Sequence, residues 1–276
     1  MPTEPKLSTT ATHTVQGFTP KPDLFESALL GLPVCHLKLP EASMASNFPC
    51  DDFDLMALSL TPGSLLRVEI PSRAIEWGRN LGRVGCYPVG SVVELSRPLT
   101  ASIGPPSTEQ QVPFAESAGS LRLAARSDFS RLAEFLAFAC RHDCLGLDPD
   151  LAPQMTSDRC VLALEVAVRS GYFLYVYEEP GAMSMIAGVL CREASTPQTM
   201  AIQRVVLADP ILDVGRSRNV LFAVLDRCRN RGYQWATLET SPHQVGLIRA
   251  AYDLEFTARG CWLVYNFHPG PRSTVR

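Results

Sequence analysis

The sequence predicts a two-part α/β protein, in which a small N-terminal part precedes a larger domain with a mixed central sheet. Strand-like apolar segments alternate with amphipathic helical segments, a polar stretch divides the chain, and the pattern of one part recurs in the other. The chain has 276 residues, of which 46% are hydrophobic, and this is enough for a buried core.

The clearest boundary is the stretch 100–119, where Pro, Ser, Gln and Gly interrupt any apolar periodicity. We predict a linker there, between a small domain at 21–99 and a larger domain at 120–268. Residues 1–20 are rich in Thr and Pro, so we predict that they are disordered.

The larger domain has a readable order of elements. A strand and two helices come first, then three strand-like segments, and a helix, a strand, a helix and two closing strands complete it. The three central segments are YFLYVY, SMIAGVLCRE and TMAIQRVVLA, and WATLET is the strand that follows the third helix. The Pro, Gly, Ser and Thr residues between the central segments predict consecutive antiparallel strands.

The N-terminal part looks like an incomplete copy of the end of the chain. Residues 65–95 align without a gap on residues 235–265, and the alignment sets Glu69 on Glu239. We interpret the N-terminal part as a degenerate half-domain packed on a complete one. The alternative is two unrelated αβ segments that share a common period.

Charge and hydropathy exclude several classes of function. The formal net charge is −3 and the isoelectric point is about 6.0, which argues against nucleic-acid binding through phosphate contacts. The longest apolar runs are shorter than a membrane span, and the N-terminus lacks the apolar core of a signal peptide. We therefore expect a cytoplasmic protein without a nucleic-acid or membrane partner.

The nine cysteines form no Cys-x-x-Cys pair, and we expect them to be reduced and mainly buried. The nearest approach to a metal pattern is Cys140, His142 and Cys144. Residues at i, i+2 and i+4 do not share one face of a helix, and no second cluster completes four ligands. The sequence therefore predicts no metal site.

A candidate anion site precedes the predicted helix at 217–231. Backbone amides at a glycine-containing turn and a helix N-terminus can hold a pyrophosphate, and nearby arginines add positive charge. The residues in these positions are Gly215, Arg216, Ser217 and Arg218. The alternative is an ordinary glycine turn before a surface helix with solvated arginines.

The element order and the segment DPILDVGRSRNVLFAVLDRCRNRGYQWATLET resemble the GNAT superfamily of acyl-CoA-dependent N-acyltransferases. The family pattern Gln/Arg-x-x-Gly-x-Gly/Ala falls on Leu212, Gly215 and Ser217, and only Gly215 matches it fully. The resemblance implies the GNAT fold, acetyl-CoA or another acyl-CoA as co-substrate, and a coenzyme site that includes Gly215, Arg216, Ser217 and Arg218.

In this family the pantetheine arm lies in a V-shaped opening between the fourth and fifth strands, where it binds exposed backbone groups. Those strands correspond to TMAIQRVVLA and WATLET. The resemblance therefore implies backbone contacts from Val205, Val206 and Leu207. It also places Gln244 at the Asn position of the helix pattern Asn-x-x-Ala-x-x-x-Tyr, and we assign Gln244 to the coenzyme site.

The family's proton donor is usually the Tyr of that helix pattern. Its position falls on Ala251, and Tyr252 is one residue further on, rotated by about 100° on a helix. We predict Tyr252 as the donor, with a half-buried packing tyrosine as the alternative. Glu193 and Glu239, at the ends of predicted strands, are the candidate bases. Surface or ion-paired glutamates, with an ordered water as the proton carrier, are the alternative.

The chain also resembles, over residues 24–267, the bacterial TDP-fucosamine acetyltransferase type of GNAT, through ESALLGLPVCHLKL and the pair Arg192 and Glu193. That resemblance implies acetyl transfer to a nucleotide-linked amino sugar. The alternatives are N-acylation of an amino acid or specialised-metabolite amine, and a GNAT-like protein that binds acyl-CoA without catalysis. The expected partner is a small-molecule amine, and a homodimer is left open.

Overall fold

A computed structural model gives the structure of the chain. It describes residues 19–39, 53, 56, 59–99, 119–141, 147–148, 150–151, 155–179, 185–208 and 214–269. Nearly all of the predicted disordered N-terminus and of the predicted linker lies outside these residues. Leu212 of the predicted coenzyme motif, and His142 and Cys144 of the excluded metal pattern, also lie outside them.

The described residues form a mixed α/β structure. Its strands are β1 (Lys21–Pro22), β2 (Val34–Lys38), β3 (Leu65–Pro71), β4 (Tyr87–Pro98), β5 (Ser120–Leu123), β6 (Phe173–Glu178), β7 (Met185–Glu193), β8 (Thr199–Leu207), β9 (Trp235–Thr240) and β10 (Thr257–Phe267). Its helices with described boundaries are α1 (Leu24–Leu30), α2 (Ile75–Arg83), α3 (Phe129–Cys140), α4 (Ser157–Arg169), α5 (Val214–Asn230) and α6 (Val245–Asp253).

Local sequence signals explain where α1 and α4 begin and where α1 ends. The Asp23 carboxylate accepts a hydrogen bond from the Glu26 backbone N–H at 2.7 Å, and Thr156 Oγ1 accepts one from the Arg159 backbone N–H at 3.4 Å. Both are side-chain caps of unsatisfied helical amides. Gly31 ends α1 with a φ of 69°, which glycine adopts without a steric penalty.

The strands belong to one ten-stranded sheet with the order β1-β2-β3-β10-β4-β9-β8-β7-β6-β5. Strand β4, from the N-terminal part, lies between β9 and β10, and strand β10, from the end of the chain, lies between β3 and β4. The two parts therefore exchange strands across the middle of the sheet, and the predicted mixed central sheet is confirmed.

The register of the sheet agrees with the internal repeat. Val264 of β10 lies opposite Glu69 of β3, and Glu94 of β4 lies opposite Glu239 of β9. Glu239 follows Glu69, and Val264 follows Glu94, by the same 170 residues. The β3–β10 ladder and the β9–β4 ladder are therefore counterparts in the repeat. The residue types on the exchanged strands β4 and β10 differ.

The two closing strands predicted for the end of the chain form one strand, β10. Its ladder with β4 skips Arg259, and the same ladder skips Val89 on β4. These two irregularities are again 170 residues apart. A skipped residue bends a strand without ending it, which is why one long strand replaces the predicted pair.

The helices divide between the two faces of the sheet. Helix α1 packs against α4, and α3 and α4 pack against each other, so α1 joins a core that includes Phe25, Leu132 and Leu164. Helices α5 and α6 cover a separate core that includes Leu221 and Leu247. The N-terminal part thus contributes to the same face of the sheet as α3 and α4.

None of the helices among the described residues has the length and apolar character needed to cross a bilayer. Seven cysteines fall in the described part of the chain. All seven are free thiols, and six of them are buried, in agreement with the expectation of reduced, mainly buried cysteines.

Candidate functional site

Strands β8 and β9 separate at one end of their ladder. They run parallel and pair only between residues 199–202 and residues 235–238, although β8 continues to Leu207 and β9 to Thr240. We call the space between residues 203–207 and residues 239–240 the strand opening. Along it, the edge of β8 that faces β9 has no ladder partner among the described residues.

A β-bulge at Gln203 accompanies the separation. The ladder between β7 and β8 passes directly from Arg204 to Ile202, so Gln203 is skipped. Ile202 and Val205 consequently face the same α5–α6 core although they are three residues apart, while Val206 packs against the opposite core. The bulge therefore turns Arg204 and Val206 towards the face that carries α1, α3 and α4.

A cleft of about 740 Å³, its open mouth included, lies at the strand opening. Residues of the larger domain line one part of it, and these are Ala139, Gln203, Arg204, Val205, Val206, Glu239, Thr240, Ser241, Gln244 and Val264. Residues of the N-terminal part line the rest, and these are Glu26, His36, Arg67, Glu69 and Val92. The N-terminal part is thus a wall of the cleft.

A cationic cluster surrounds Glu26. Its two carboxylate oxygens accept hydrogen bonds from Arg67 Nη1 at 2.6 and 2.8 Å, and they lie 3.0 Å from His36 Nε2 and 3.4 Å from Arg204 Nη2. Burial alone would raise the pKa of Glu26, but Arg67, His36 and Arg204 outweigh it and lower that pKa strongly. The carboxylate is therefore charged, and two arginines and a histidine contact it.

An acidic cluster surrounds Lys38 beside it. Lys38 Nζ lies 3.1 Å from Glu94 Oε2, 3.2 Å from Glu239 Oε1 and 3.7 Å from Glu69 Oε2, and 4.5 Å from the ring centroid of Trp262. Burial disfavours the charged lysine, but the three carboxylates outweigh it and raise the pKa of Lys38. Burial also raises the pKa of Glu69, against the opposing effects of His36 and Lys38.

The two clusters occupy rungs two residues apart on the ladder between β2 and β3. His36 pairs with Arg67, and Lys38 pairs with Glu69. Residues two apart on a strand point to the same face at a spacing of about 7 Å. Sequence reasoning missed these residues, although the alternation of apolar with charged residues in VCHLKL and LLRVEI could have indicated a charged, partly enclosed face.

The structure places three of the predicted coenzyme residues at the cleft. Val205 and Val206 line it from β8, and Gln244 lines it from the start of α6, where its Oε1 accepts a hydrogen bond from Thr240 Oγ1 at 3.0 Å. Leu207 is half-buried against the α5–α6 core and does not line the cleft.

The four predicted pyrophosphate residues lie in the first turns of α5, which begins at Val214 rather than at residue 217. Gly215 is exposed, Ser217 is buried, and both arginines are half-buried; Arg216 Nε donates to Glu179 Oε1 at 3.0 Å. The predicted turn residues are therefore helical. The first four amides of a helix have no intrahelical acceptor, so the predicted turn and the observed first turn offer similar donors.

The predicted catalytic residues do not meet. Glu239 lines the cleft. Glu193 ends β7 opposite Met200, at the far end of β8, and its Oε1 accepts a hydrogen bond from Tyr233 at 2.6 Å. Antiparallel neighbours end at opposite edges of a sheet, which explains why the two glutamates are separated. Only Glu239 is therefore in a position to reach a substrate in the cleft.

Tyr252 does not line the cleft. Its side chain is 51% exposed on α6, whereas Ala251, at the family's tyrosine position, is fully buried. His243, which precedes α6, is exposed. Among the described residues no tyrosine lines the cleft, so its described walls offer no phenolic proton donor.

A second polar cluster lies outside the cleft lining, next to Asn266, whose Oδ1 accepts a hydrogen bond from Arg67 Nε at 3.5 Å. Ligand atoms of Asp148, Asp150 and His268 lie within 4.8 Å of one another, a grouping that could hold a cation. The Asp148 carboxylate already accepts hydrogen bonds from Tyr87 at 2.8 Å and Asn266 at 2.6 Å. Burial would raise the pKa of Asp148, but hydrogen bonds from His268, Asn266 and Tyr87 outweigh it and lower that pKa to about 2.

Comparison with known proteins identifies the fold. No family model and no curated protein matches the chain. Among solved structures, a GCN5-related N-acetyltransferase from Sphaerobacter thermophilus superposes with a TM-score of 0.52 at 13% identity, over 92% of this chain and 76% of the other. A second, from Kribbella flavida, gives 0.51 at 11% identity, over 86% and 82%.

A functionally unknown conserved protein from Staphylococcus epidermidis gives a TM-score of 0.50 at 9% identity, over 94% of this chain and 95% of the other. These likenesses extend over both the N-terminal part and the larger domain. The chain therefore has the fold of the GCN5-related N-acetyltransferases, as the element order predicts. At such low identity the comparison defines the fold and leaves the reaction to be argued from the cleft.

Proposed function

We propose that the chain is an N-acyltransferase that moves an acetyl or similar acyl group from acyl-CoA to a primary amine. The observation that carries the proposal is the strand opening. Beyond the end of the β8–β9 ladder, β8 presents to the cleft a backbone edge that is unpaired among the described residues. An extended pantetheine arm can bind along such an edge as an added strand does.

The coenzyme would extend from the strand opening to α5. The pantetheine would lie along residues 203–207 of β8, and the pyrophosphate would meet the amides and the positive dipole end of α5 near Gly215 and Ser217. Arg216 and Arg218 add positive charge there. Gln244, at the start of α6, would contact the coenzyme from the opposite wall of the cleft.

Glu239 is the base that we propose. Its side chain is 42% exposed and belongs to the cleft wall, so it can take a proton from a bound ammonium directly or through one water. The neutral amine then attacks the thioester carbonyl carbon, forming the C–N bond. As the C–S bond breaks, the electron pair leaves with the sulfur, and the second amine proton passes to water.

The leaving thiolate does not require a tyrosine at the cleft. A thiol has a pKa of about 8.5, so the thiolate is stable enough to depart and then be protonated by solvent. The exposed position of Tyr252 supports this route over the predicted tyrosine donor.

A nucleotide-linked amino sugar, implied by the sequence resemblance, is the first acceptor to examine. Amino acids and specialised-metabolite amines are the other acceptors, and binding of acyl-CoA without turnover is the non-catalytic alternative. The residues of the N-terminal part that line the cleft support an acceptor site there, because they lie on the face of the sheet opposite α5.

Two measurements test the proposal together. We expect acetyl-CoA at about one hundred times its dissociation constant to stabilise the protein by about 2.7 kcal/mol in a thermal titration. We expect an amine panel to release free CoA from acetyl-CoA above the rate without amine. No shift with any acyl-CoA would overturn the proposal, and a shift without turnover would favour the non-catalytic alternative.

A further inference from the structure

We propose that the acceptor carries an anionic group a few bonds from its amine, as a free amino acid does, and that β2 and β3 recognise this pair of charges. The inference rests on the proposed function, because it assigns the acceptor of the same cleft. It goes beyond that function by choosing a small zwitterion among the possible amines.

The first observation is the cationic cluster on one side of the cleft. Arg67 is buried and neutralised largely by Glu26, with which it forms a two-point contact. Arg204 and His36 are more accessible, at 23% and 29% of their side-chain surface, and both line the cleft. An anion in the cleft would therefore meet two accessible donors backed by a buried ion pair that fixes their position.

The second observation is the acidic cluster two residues further along the same ladder. Glu69 and Glu239 line the cleft, and with Glu94 they already surround one ammonium group, that of Lys38. Three carboxylates against one lysine leave surplus negative charge. An acceptor ammonium at this end of the cleft is therefore attracted before it loses its proton to Glu239.

The spacing of the two charged clusters limits the distance between the anionic group and the amine of the acceptor. His36 and Lys38 are two residues apart on β2, as are Arg67 and Glu69 on β3, and such residues repeat at about 7 Å. Side chains of opposite charge can thus converge on one small molecule whose anion and amine are separated by a few bonds. The sugar amine of a nucleotide-linked amino sugar lies several atoms from its phosphates and fits this spacing less well.

Buried and half-buried polar groups also make the site selective. A site built to pair with a charged group rejects an analogue that lacks it, because the protein's own charges are then left without a partner. Loss of one charge-assisted hydrogen bond weakens binding about tenfold to a hundredfold. An amide analogue of the true acceptor should therefore bind at least about tenfold more weakly than the acid.

The test is a thermal titration of the full chain saturated with free CoA, which prevents turnover. The probes are the common L-amino acids and β-alanine, the carboxamide of each, and a nucleotide-linked amino sugar. We expect at least one amino acid to raise the midpoint saturably, and its carboxamide to require about tenfold or more higher concentration. A preference for the carboxamide or the nucleotide sugar, or no shift with any probe, overturns the inference.

A matched pair of variants locates the anion contact. We expect Arg204→Gln to raise the KM of the preferred amino acid about tenfold to a hundredfold, and to change that of its carboxamide less than twofold. Arg131→Gln, on the exposed surface of α3, is the control. Equal effects of Arg204→Gln on acid and amide would contradict the proposed contact.

The two proposals fail in different ways. If acetyl-CoA does not stabilise the protein, the proposed function fails. If acetyl-CoA binds and neutral amines are acylated as well as amino acids or better, the function stands and the zwitterion inference is wrong. Arg204→Lys, which keeps the charge but not the planar donor pair, should recover part of the lost affinity.

Discussion

Two parallel strand pairs, β2–β3 and β8–β9, contain the repeat counterparts β3 and β9, yet only the second pair opens. The β2–β3 ladder runs to Lys38 and Glu69 and is extended by a hydrogen bond from the Leu39 backbone N–H to the Glu69 carbonyl at 2.9 Å. The β8–β9 ladder ends at Leu238, one residue before Glu239, the counterpart of Glu69.

The difference lies in one residue on the neighbouring strand. Lys38 occupies the rung beside Glu69, whereas the corresponding rung beside Glu239 would fall to Gln203, the bulged residue of β8. A bulge removes a residue from the ladder and turns the strand. The same strand arrangement can therefore close a sheet or open a ligand cleft, depending on one inserted residue.

The largest effect is expected from deletion of Gln203, the bulged residue of β8. The deletion keeps Arg204 and Val206 on their present face and lets β8 pair with Glu239 of β9, as β2 pairs with β3. We expect acetyl-CoA binding to weaken by at least about a hundredfold, the loss of two or more hydrogen bonds. Thermal titration with acetyl-CoA measures this loss.

Gln203→Ala is the matched control, because it removes the side chain but keeps the bulge; it should bind acetyl-CoA within about threefold of the parent. A far-ultraviolet circular dichroism spectrum and a cooperative thermal transition show whether the deletion variant has folded. Full acetyl-CoA binding by a folded deletion variant would contradict the role given to the bulge.

The next test distinguishes the role of Glu239 from that of the other glutamates that contact Lys38. We expect Glu239→Gln to lower kcat about a hundredfold or more, the usual contribution of a general base, with the acetyl-CoA titration unchanged. Glu94→Gln removes a contact to the same lysine without touching the cleft lining, and its kcat should fall less than tenfold. Equal losses in the two variants would mean that the charge of the cluster matters rather than a base at Glu239.

His36, on strand β2 of the closed β2–β3 pair, is expected to make the free energy of unfolding depend on pH. Burial lowers the pKa of His36, but Glu26 outweighs it and raises that pKa above the ordinary value of 6.5. The stabilisation by the His36–Glu26 pair is therefore fully present below about pH 6.5 and is lost as the pH rises through the raised value. We expect His36→Gln to cost about 1–2 kcal/mol of unfolding free energy at pH 6.

That cost should shrink steadily towards pH 9, and denaturant titrations of both proteins across this range measure it. His243→Gln, which alters an exposed histidine, is the matched comparison. A cost for His36→Gln that does not vary with pH would contradict the charged pair.

The smallest effects are expected at the two predicted catalytic residues that lie outside the cleft. Tyr252→Phe and Glu193→Gln should each leave kcat and KM within about twofold, because Tyr252 is half exposed on α6 and Glu193 contacts Tyr233 at the far end of β8. Steady-state kinetics of the two variants and the parent measure these values. A fall of more than tenfold in Tyr252→Phe would restore the tyrosine as proton donor.

Much of the fold could be predicted because it follows from local patterns. Strands and helices of the larger domain carry clear apolar periods, and the gapless repeat predicts which strands are counterparts. The exchange of β4 and β10 could not be predicted, because two copies of a strand with similar apolar faces satisfy either neighbour. The start of α5 was misplaced by three residues, since Gly215 is typical of a turn but also tolerated in a first helical turn.

The site was only partly predictable, for two physical reasons. Gln203 carries no glycine or turn signal, so the bulge that forms the strand opening is invisible in the sequence. Charged residues of the N-terminal part reach the cleft only through the tertiary packing of α1 on α4 and the exchanged strands. Glu239 could be predicted, because the ends of parallel neighbouring strands meet at one edge of the sheet.

We expect acyl-CoA to bind along the open edge of β8, and β2 to stay paired with β3. Backbone hydrogen–deuterium exchange with and without acetyl-CoA tests both parts in one experiment. We predict slower exchange at residues 203–207 and in the first turn of α5, and no change at residues 34–38. Unchanged exchange along β8, or protection by acetyl-CoA centred on β2, would show that acyl-CoA does not bind at the strand opening.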